Sequence, residues 1–132
     1  MTYRLLYASS ATTPFTQHDL DELLMDARSR NEARGLCGAL LYHESVFFQV
    51  LEGPRAQVTD LWGRLQWDPR HRIMLFVEQE NVSPLFQDWR MAWVAPSSFE
   101  RLGFDRGLLE RNSINDEEVQ DLLEHFHKAA RL

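Results

Sequence analysis

The stretch LCGALLYHESVFFQVLEGP, residues 36–54, decides the fold of this chain. Residues 36–42 and 46–51 are almost continuously apolar, and His43, Glu44 and Ser45 between them are polar. Two short apolar runs around a polar turn predict a β-hairpin whose strands are largely buried. Gly53-Pro54 ends the second strand and allows a helix to begin near Arg55.

The segments on either side of the hairpin alternate between strand and helix. Residues 3–9 are a predicted strand. Thr16 is a predicted N-cap, with Asp19 in the capping-box position, for a helix that runs to about Asn31 and has Gly35 near its C-terminal cap. The second helix has an apolar face formed by Val58, Leu61, Trp62 and Leu65. Two more strands are predicted at residues 73–78 and 89–94.

This order, β-α-β-β-α-β followed by a fifth strand, is typical of an α+β fold of the ferredoxin-like type. Both helices then cover one face of the sheet, which explains why the hairpin strands are apolar throughout. We assign residues 1–95 to this core.

Residues 96–132 form a predicted C-terminal helical extension. Leu108 and Leu109 mark a short helical turn, and Ser113 or Asn115 caps a last helix. The apolar face of that helix consists of Val119, Leu122, Leu123 and Phe126. We expect the extension to cover the other sheet face, or else to lie in a dimer interface.

Composition excludes several classes of function. The net charge of −6 argues against nucleic-acid binding. No stretch approaches the roughly 20 apolar residues of a membrane helix, and the N-terminus lacks the pattern of a signal peptide, so we expect a cytoplasmic protein. The single cysteine, Cys37, is predicted to be a small buried core residue. We find no metal-ligand spacing, no nucleophile–base arrangement and no glycine-rich nucleotide motif, and therefore predict neither a metal site nor an enzyme.

Three polar residues interrupt otherwise apolar patterns. Asn31 lies on the helix stripe of Leu20, Leu24 and Ala27, and either local backbone satisfies its amide or the amide points at a ligand between helix and sheet. Gln49 is in the middle of a central strand. Its amide either pairs with a core polar group or forms hydrogen bonds with a ligand that has donors and acceptors. Tyr7 is a core tyrosine whose hydroxyl is a natural partner for a buried Gln49.

Several of these residues belong to segments that resemble the BLUF family of flavin-using blue-light receptors. The segments are the first strand around Tyr7, Asn31 four residues before Gly35, Gln49 within FFQVLEG, residues 68–71 (DPRH) and residues 86–91 (FQDWRM). The resemblance covers about residues 2–95, and its specificity comes from the combination of motifs.

The resemblance implies a flavin, FAD or alternatively FMN, held non-covalently between the two helices and the sheet. Tyr7 and Gln49 match the photoactive pair: light drives electron and proton transfer from the tyrosine, and the glutamine rearranges. Asn31 matches the amide at the polar edge of the ring. Trp89 and Met91 match a fifth-strand pair that relays the change to the sheet and tail. Arg64, Arg70 and His71 are candidate contacts for the ribityl and phosphate groups.

The sequence departs from the family pattern at Pro84, where an arginine that helps to hold the flavin ring is common. A proline has no backbone N–H to donate. The alternative function is therefore a flavin-free interaction module of the same fold. The length of 132 residues resembles the short, stand-alone members, which implies signalling through an effector protein or through a homo-oligomer.

Overall fold

The computed structural model describes residues 2–94 and 114–131. The elements, in chain order, are β1 (Thr2–Ala11), α1 (Gln17–Arg34), β2 (Cys37–His43), β3 (Val46–Gly53), α2 (Arg55–Leu65), β4 (His71–Val82), β5 (Ala92–Val94), α3 (Asp116–Ala129) and β6 (Ala130–Arg131). The strands form one sheet in the order β4-β1-β3-β2-β5-β6. The first four strands of that order pair antiparallel, and β5 pairs parallel to β2. The predicted ferredoxin-like α+β fold is confirmed.

The β2–β3 hairpin closes through a turn of two residues. Glu44 and Ser45 both have positive φ, 46° and 66°, and His43 pairs with Val46 across the turn. Two consecutive left-handed residues match the right-handed twist of the paired strands. The hairpin therefore has a fixed register, which sets the sheet face that each of its side chains reaches.

Helix α1 begins and ends at the residues whose chemistry favours caps. Thr16 accepts a hydrogen bond from the Asp19 amide, and the Asp19 carboxylate accepts one from the Thr16 amide. Gly35 ends the helix with φ of 69°, a conformation in which a side chain would be strained. The helix continues to Arg34, somewhat past the predicted end near Asn31.

The sheet separates two apolar cores. Phe47 and Leu51 of β3 pack with α1 and α2 on one face, and Phe48 and Val50 pack on the other face with α3. The apolar residues of α3 that complete the second core are Val119, Leu122, Leu123 and Phe126. The prediction that a C-terminal helix covers the second face is confirmed for α3, which Asn115 caps. The predicted turn at Leu108 and Leu109 lies outside the described residues.

Three sequence predictions are corrected by the fold. The fifth strand begins at Ala92 instead of Trp89, because residues 86–91 make a turn in which the Trp89 amide donates to the Phe86 carbonyl. Cys37 is half-buried rather than fully buried, since it is the first residue of β2 and lies at the sheet end. Strand β4 is also longer than predicted, with twelve residues from His71 to Val82.

Across residues 2–94 and 114–131, no helix combines the length and apolar composition needed to cross a membrane.

Candidate functional site

A cavity opens between the sheet and the two helices α1 and α2. Its volume is about 190 Å³. One part of its wall is apolar and consists of Phe15, Leu23, Ala27, Leu40, Phe47, Leu61 and Leu65. The polar part consists of Tyr7, Arg30, Gln49, Arg64, Asp68, Arg70 and His71.

Tyr7 and Gln49 form a hydrogen-bonded pair in the wall of this cavity. They are direct cross-strand partners in the β1–β3 register, so their side chains leave the same face of the sheet. The Tyr7 hydroxyl donates to Gln49 Oε1, and both side chains are buried. The expected partnership between the core tyrosine and the buried glutamine is confirmed.

The surroundings of Tyr7 keep its phenol protonated. Its ring lies 5.2 Å from the ring of Trp62 and 5.9 Å from that of His71. Burial in this apolar environment raises the pKa of Tyr7 well above its ordinary value, because the charged phenolate would lose its hydration. The group can therefore act as a hydrogen-bond donor over the whole neutral pH range.

His71 has a fixed position at the start of β4. Its Nδ1 lies 2.8 Å from Ser9 Oγ, and its Nε2 lies 2.6 Å from the Leu65 carbonyl. A carbonyl only accepts, so Nε2 carries a proton. These two bonds connect β1 and the end of α2 through one imidazole beside Tyr7.

Two arginines of the cavity wall are largely exposed. Arg70 forms a bidentate pair with Asp68, at 2.7 and 3.1 Å, and this pairing lowers the pKa of the Asp68 carboxyl. Arg64 lies 3.8 Å from Asp60. Exposed guanidinium groups at the mouth of an apolar cavity suit an anionic group such as a phosphate.

Arg30 also lines the cavity, and the sequence interpretation missed it. Its Nε is buried and has no hydrogen-bond partner among the described residues, and burial lowers its pKa. Leu23, Ala27 and Arg30 recur at helical spacing and all face the cavity. The position of Arg30 on an otherwise apolar helix stripe was the feature of the sequence that could have indicated a site residue. A buried, unpartnered donor indicates a site for an acceptor that belongs to a ligand.

Asn31 is fully buried, as its place on the α1 stripe predicted, but it is not among the residues that line the cavity. Its Nδ2 donates to the Arg90 carbonyl, 2.5 Å away, and its Oδ1 has no partner among the described residues. Arg28, three residues earlier in α1, adds a second bond of this kind, from its Nε to the Met91 carbonyl at 2.9 Å. Helix α1 thus holds the backbone that leads into β5.

The two candidate relay residues lie on opposite faces of the sheet. Met91 is fully buried in the core that includes Tyr7. Trp89 packs against the α3 core, and its ring lies 6.1 Å from that of His127 in α3. Since they are two residues apart, the short segment between them connects the two cores.

Pro84 lies away from the cavity. It is exposed, it is not among the cavity-lining residues, and Leu85 and Phe86 after it bond to Glu52. Glu52 follows Phe48 and Val50 in the strand alternation, which places it on the α3 side of the sheet. Pro84 is therefore not part of the described cavity wall.

The cavity chemistry fits a flavin. The apolar part of the wall suits a planar ring, the buried Arg30 Nε has no partner among the described residues, and the exposed Arg64 and Arg70 suit an anionic group. Within residues 2–94 and 114–131, no group of histidines, cysteines and carboxylates could hold a metal ion. Fold and cavity together define a small α+β domain with a cavity whose lining suits a planar, anionic ligand.

The chain belongs to the BLUF family, because residues 2–92 match the family model described as sensors of blue-light using FAD. The predicted membership is confirmed. The family binds a flavin and senses light, so the matched residues form a sensor domain rather than an enzyme domain.

Individual relatives agree with this membership. Photoactivated adenylate cyclase subunit beta of Euglena gracilis is 36% identical over 91 residues, which are 66% of this chain and 10% of the relative. The chain thus spans about a tenth of that relative's length. The structure of BlsA in its photo-activated state has a TM-score of 0.78 and 27% identity and covers 100% of this chain and 99% of its own. The dark-state structure of BlrB, a BLUF protein, has a TM-score of 0.75 and 25% identity, covering 96% of each chain.

Proposed function

We propose that this domain senses blue light through a change in the hydrogen bond between Tyr7 and Gln49. The observation that carries the proposal is the buried Tyr7–Gln49 pair in the wall of a cavity with apolar and cationic lining. When bound, a flavin supplies the absorption of blue light and the capacity to take up an electron and a proton. Tyr7 holds a proton at its hydroxyl and directs it to Gln49 Oε1.

Gln49 is suited to a two-state response. Its side-chain amide has an acceptor oxygen and a donor nitrogen, and rotation of the amide exchanges their positions. In the described arrangement Oε1 accepts from Tyr7. Rotation would turn Nε2 toward the Tyr7 hydroxyl and Oε1 away from it. The amide would then exchange the positions of the donor and the acceptor that it presents to a ring in the cavity.

We further propose the residues that hold the flavin. Arg30 and Asn31 have buried polar atoms that a ring carbonyl or ring N–H could satisfy. Arg64, Arg70 and His71 line the cavity, and we expect them to contact the ribityl and phosphate groups. We expect the flavin to be FAD. FMN is the alternative, because both flavins carry a phosphate and a contact to that phosphate does not distinguish them.

The signal would leave the site through residues 86–91. Met91 lies in the same core as Tyr7, and Trp89 lies in the core of α3. Arg28 and Asn31 of α1 hold the carbonyls of Met91 and Arg90. A change at Gln49 that displaces Met91 would therefore move Trp89 against α3.

We also propose the wider organisation. Residues 1–95 are the sensory core, and residues 96–132 are the extension to which an effector protein or a second copy of the chain would bind. A light-dependent change in assembly, measured by light scattering in darkness and under blue light, would support a homo-oligomer. An unchanged mass would leave an effector as the reader.

The direct test is the visible absorption spectrum of the purified protein, recorded in darkness and immediately after blue light. We expect flavin bands that shift slightly to the red and recover in darkness. Flavin bands without a reversible shift would contradict the Tyr7–Gln49 mechanism. No flavin bands after incubation with FAD or FMN would contradict the assignment of the cavity.

A further inference from the structure

A carboxylate that the light-sensing site does not use is buried at the end of the central strand β3. Glu52 is 1% exposed, and its strand partners are Arg4 in β1 and Cys37 in β2. It comes three residues after Gln49 and lies on the opposite face of the sheet. A buried charge persists only where partners compensate for its lost hydration.

The partners of Glu52 are one arginine and two backbone amides. Arg4 Nε donates to Oε2 at 2.7 Å, and the Phe86 amide donates to Oε1 at 2.7 Å. The Leu85 amide lies 3.0 Å from both carboxylate oxygens. Two consecutive amides that point at one carboxylate leave the backbone at Leu85–Phe86 little freedom to move.

Arg4 extends this anchor to Ser83, two residues before Leu85. Its Nη2 donates to the Ser83 carbonyl at 2.8 Å, and its Nη1 donates to Gln79 in β4 at 2.7 Å. The planar guanidinium fixes all three partners in one plane. Arg4 and Glu52 together therefore hold the connection between β4 and β5 against the centre of the sheet.

The anchored residues lead directly to the candidate relay pair. The Trp89 amide donates to the Phe86 carbonyl at 3.0 Å, and the Trp89 carbonyl accepts from Gly38 at 3.2 Å. Residues 90 and 91 are held from α1. The relay segment thus has a fixed end at Glu52 and a second attachment on the cavity side.

We propose that Glu52 is a positioning residue that holds the Leu85–Phe86 end of the segment in place, so that a displacement at Met91 reaches Trp89 and α3. This inference rests on the proposed light-sensing function. Without the anchor, the segment would absorb the displacement by local bending between Phe86 and Trp89.

The test compares flavin-loaded variants by residue-resolved hydrogen exchange in darkness and under blue light. Glu52→Gln removes the charge and keeps the size, but it leaves Arg4 buried without a counter-charge and could unfold the protein. The double variant Arg4→Met/Glu52→Leu replaces the pair by apolar groups, which preserves a fold more often than removal of one partner does. Glu80→Gln is the matched control, because it breaks the surface pair of Glu80 with Arg55.

The double variant should keep the reversible red shift of the flavin, since Tyr7 and Gln49 are unchanged. Exchange at the Leu85 and Phe86 amides should become at least about tenfold faster in darkness. The light-minus-dark change in exchange over α3 should fall at least about fivefold, while Glu80→Gln keeps it at the wild-type size. A merely structural role would not remove the light-dependent difference.

Two results would overturn the inference. One is a double variant with faster amide exchange but an undiminished light response in α3. The other is a wild-type protein whose red shift occurs without any response in α3, because there is then no relay to position. A wild-type protein without the red shift is a different failure, since it overturns the proposed function itself.

Discussion

At the residue scale, strand register brings the photochemical candidates together. Tyr7 and Gln49 are 42 positions apart in sequence, yet they are direct partners across β1 and β3. Their hydrogen bond is buried, so loss of either group leaves the other without its partner. The cavity also contains Arg30 Nε, a buried donor with no partner among the described residues.

Replacing Tyr7 with Phe should abolish the reversible red shift and leave the flavin bound, because only the hydroxyl that donates to Gln49 is lost. Difference absorption spectra before and after illumination provide the measurement. Tyr42→Phe is the matched control, since the Tyr42 hydroxyl accepts from the Phe15 amide at 2.9 Å on the same sheet face. That control should cost about 1 kcal/mol of stability and keep the shift. A normal shift in Tyr7→Phe would contradict the role of the phenol.

Alkaline pH should destabilise the protein through its buried tyrosines. Burial raises the pKa of Tyr7, and burial together with Glu78 raises that of Tyr3 to about 12. Above about pH 10 an unfolded tyrosine loses its proton while the folded one keeps it. The free energy of unfolding therefore falls as pH rises, by up to about 1.4 kcal/mol per pH unit for each such group.

Urea unfolding between about pH 9 and 11 measures this slope. Tyr7→Phe removes one of the contributing groups, so its slope should be smaller than that of the wild type. Equal slopes in the two proteins would mean that the pKa of Tyr7 is not raised by folding.

Replacing Arg30 with Met should weaken flavin binding about 10- to 100-fold, because a charge-assisted hydrogen bond contributes about 1.5–3 kcal/mol. Titration of the flavin-free protein with FAD, followed by flavin fluorescence, measures the affinity. Arg72→Met makes the same change of charge on an exposed residue that is not among those lining the cavity. Equal affinities in both variants would remove Arg30 from the site.

At the element scale, close packing of β2 against β3 positions the relay segment. Gly38 pairs with Leu51 across these strands, and its amide donates to the Trp89 carbonyl. A Cβ at Gly38 would fall against the Val50 carbonyl of β3. Gly63 in α2, by contrast, has no heavy atom within 4 Å of where its Cβ would lie.

Alanine at these two glycines should therefore change stability in opposite directions. Gly38→Ala forces β2 away from β3 and should lower the free energy of unfolding by about 2 kcal/mol or more. Gly63→Ala should raise it by up to about 1 kcal/mol, because alanine favours the helix interior. Urea unfolding of both variants measures the two changes. A loss in Gly63→Ala, or no loss in Gly38→Ala, would contradict the described packing.

At the scale of the whole molecule, the sheet separates a ligand-binding core from the core that contains α3. The cavity belongs to the first core, and Trp89 packs against the second. A ligand that binds only the folded state stabilises both cores at once, because the strands between them are shared.

Removal of the flavin should lower the thermal midpoint of unfolding on the order of 10 °C, given about 2.7 kcal/mol of stabilisation at a ligand concentration of 100 Kd. Calorimetry of loaded and flavin-free protein checks this value. The Arg30→Met variant at the same flavin concentration should lie between the two. Equal midpoints would show that the cavity does not bind the flavin in the native state.

The sequence by itself determined the features that depend on local pattern. Two apolar runs around His43, Glu44 and Ser45 located the β2–β3 hairpin, cap residues such as Thr16 and Gly35 located the ends of α1, and the family motifs located Tyr7 and Gln49. These features follow from periodicity and backbone preference over a few residues.

Only the tertiary structure decided what depends on partners far apart in the chain. Strand β5 begins at Ala92, and Trp89 and Met91 lie on opposite faces of the sheet. Glu52 pairs with Arg4 and with amides more than thirty residues away in the chain. Local pattern cannot specify these contacts, since a buried charge or amide accepts any donor that the fold brings near. The orientation of Arg30 was decided in the same way, because a long cation on a helix points inward only where the packed sheet and helices leave a cavity for it.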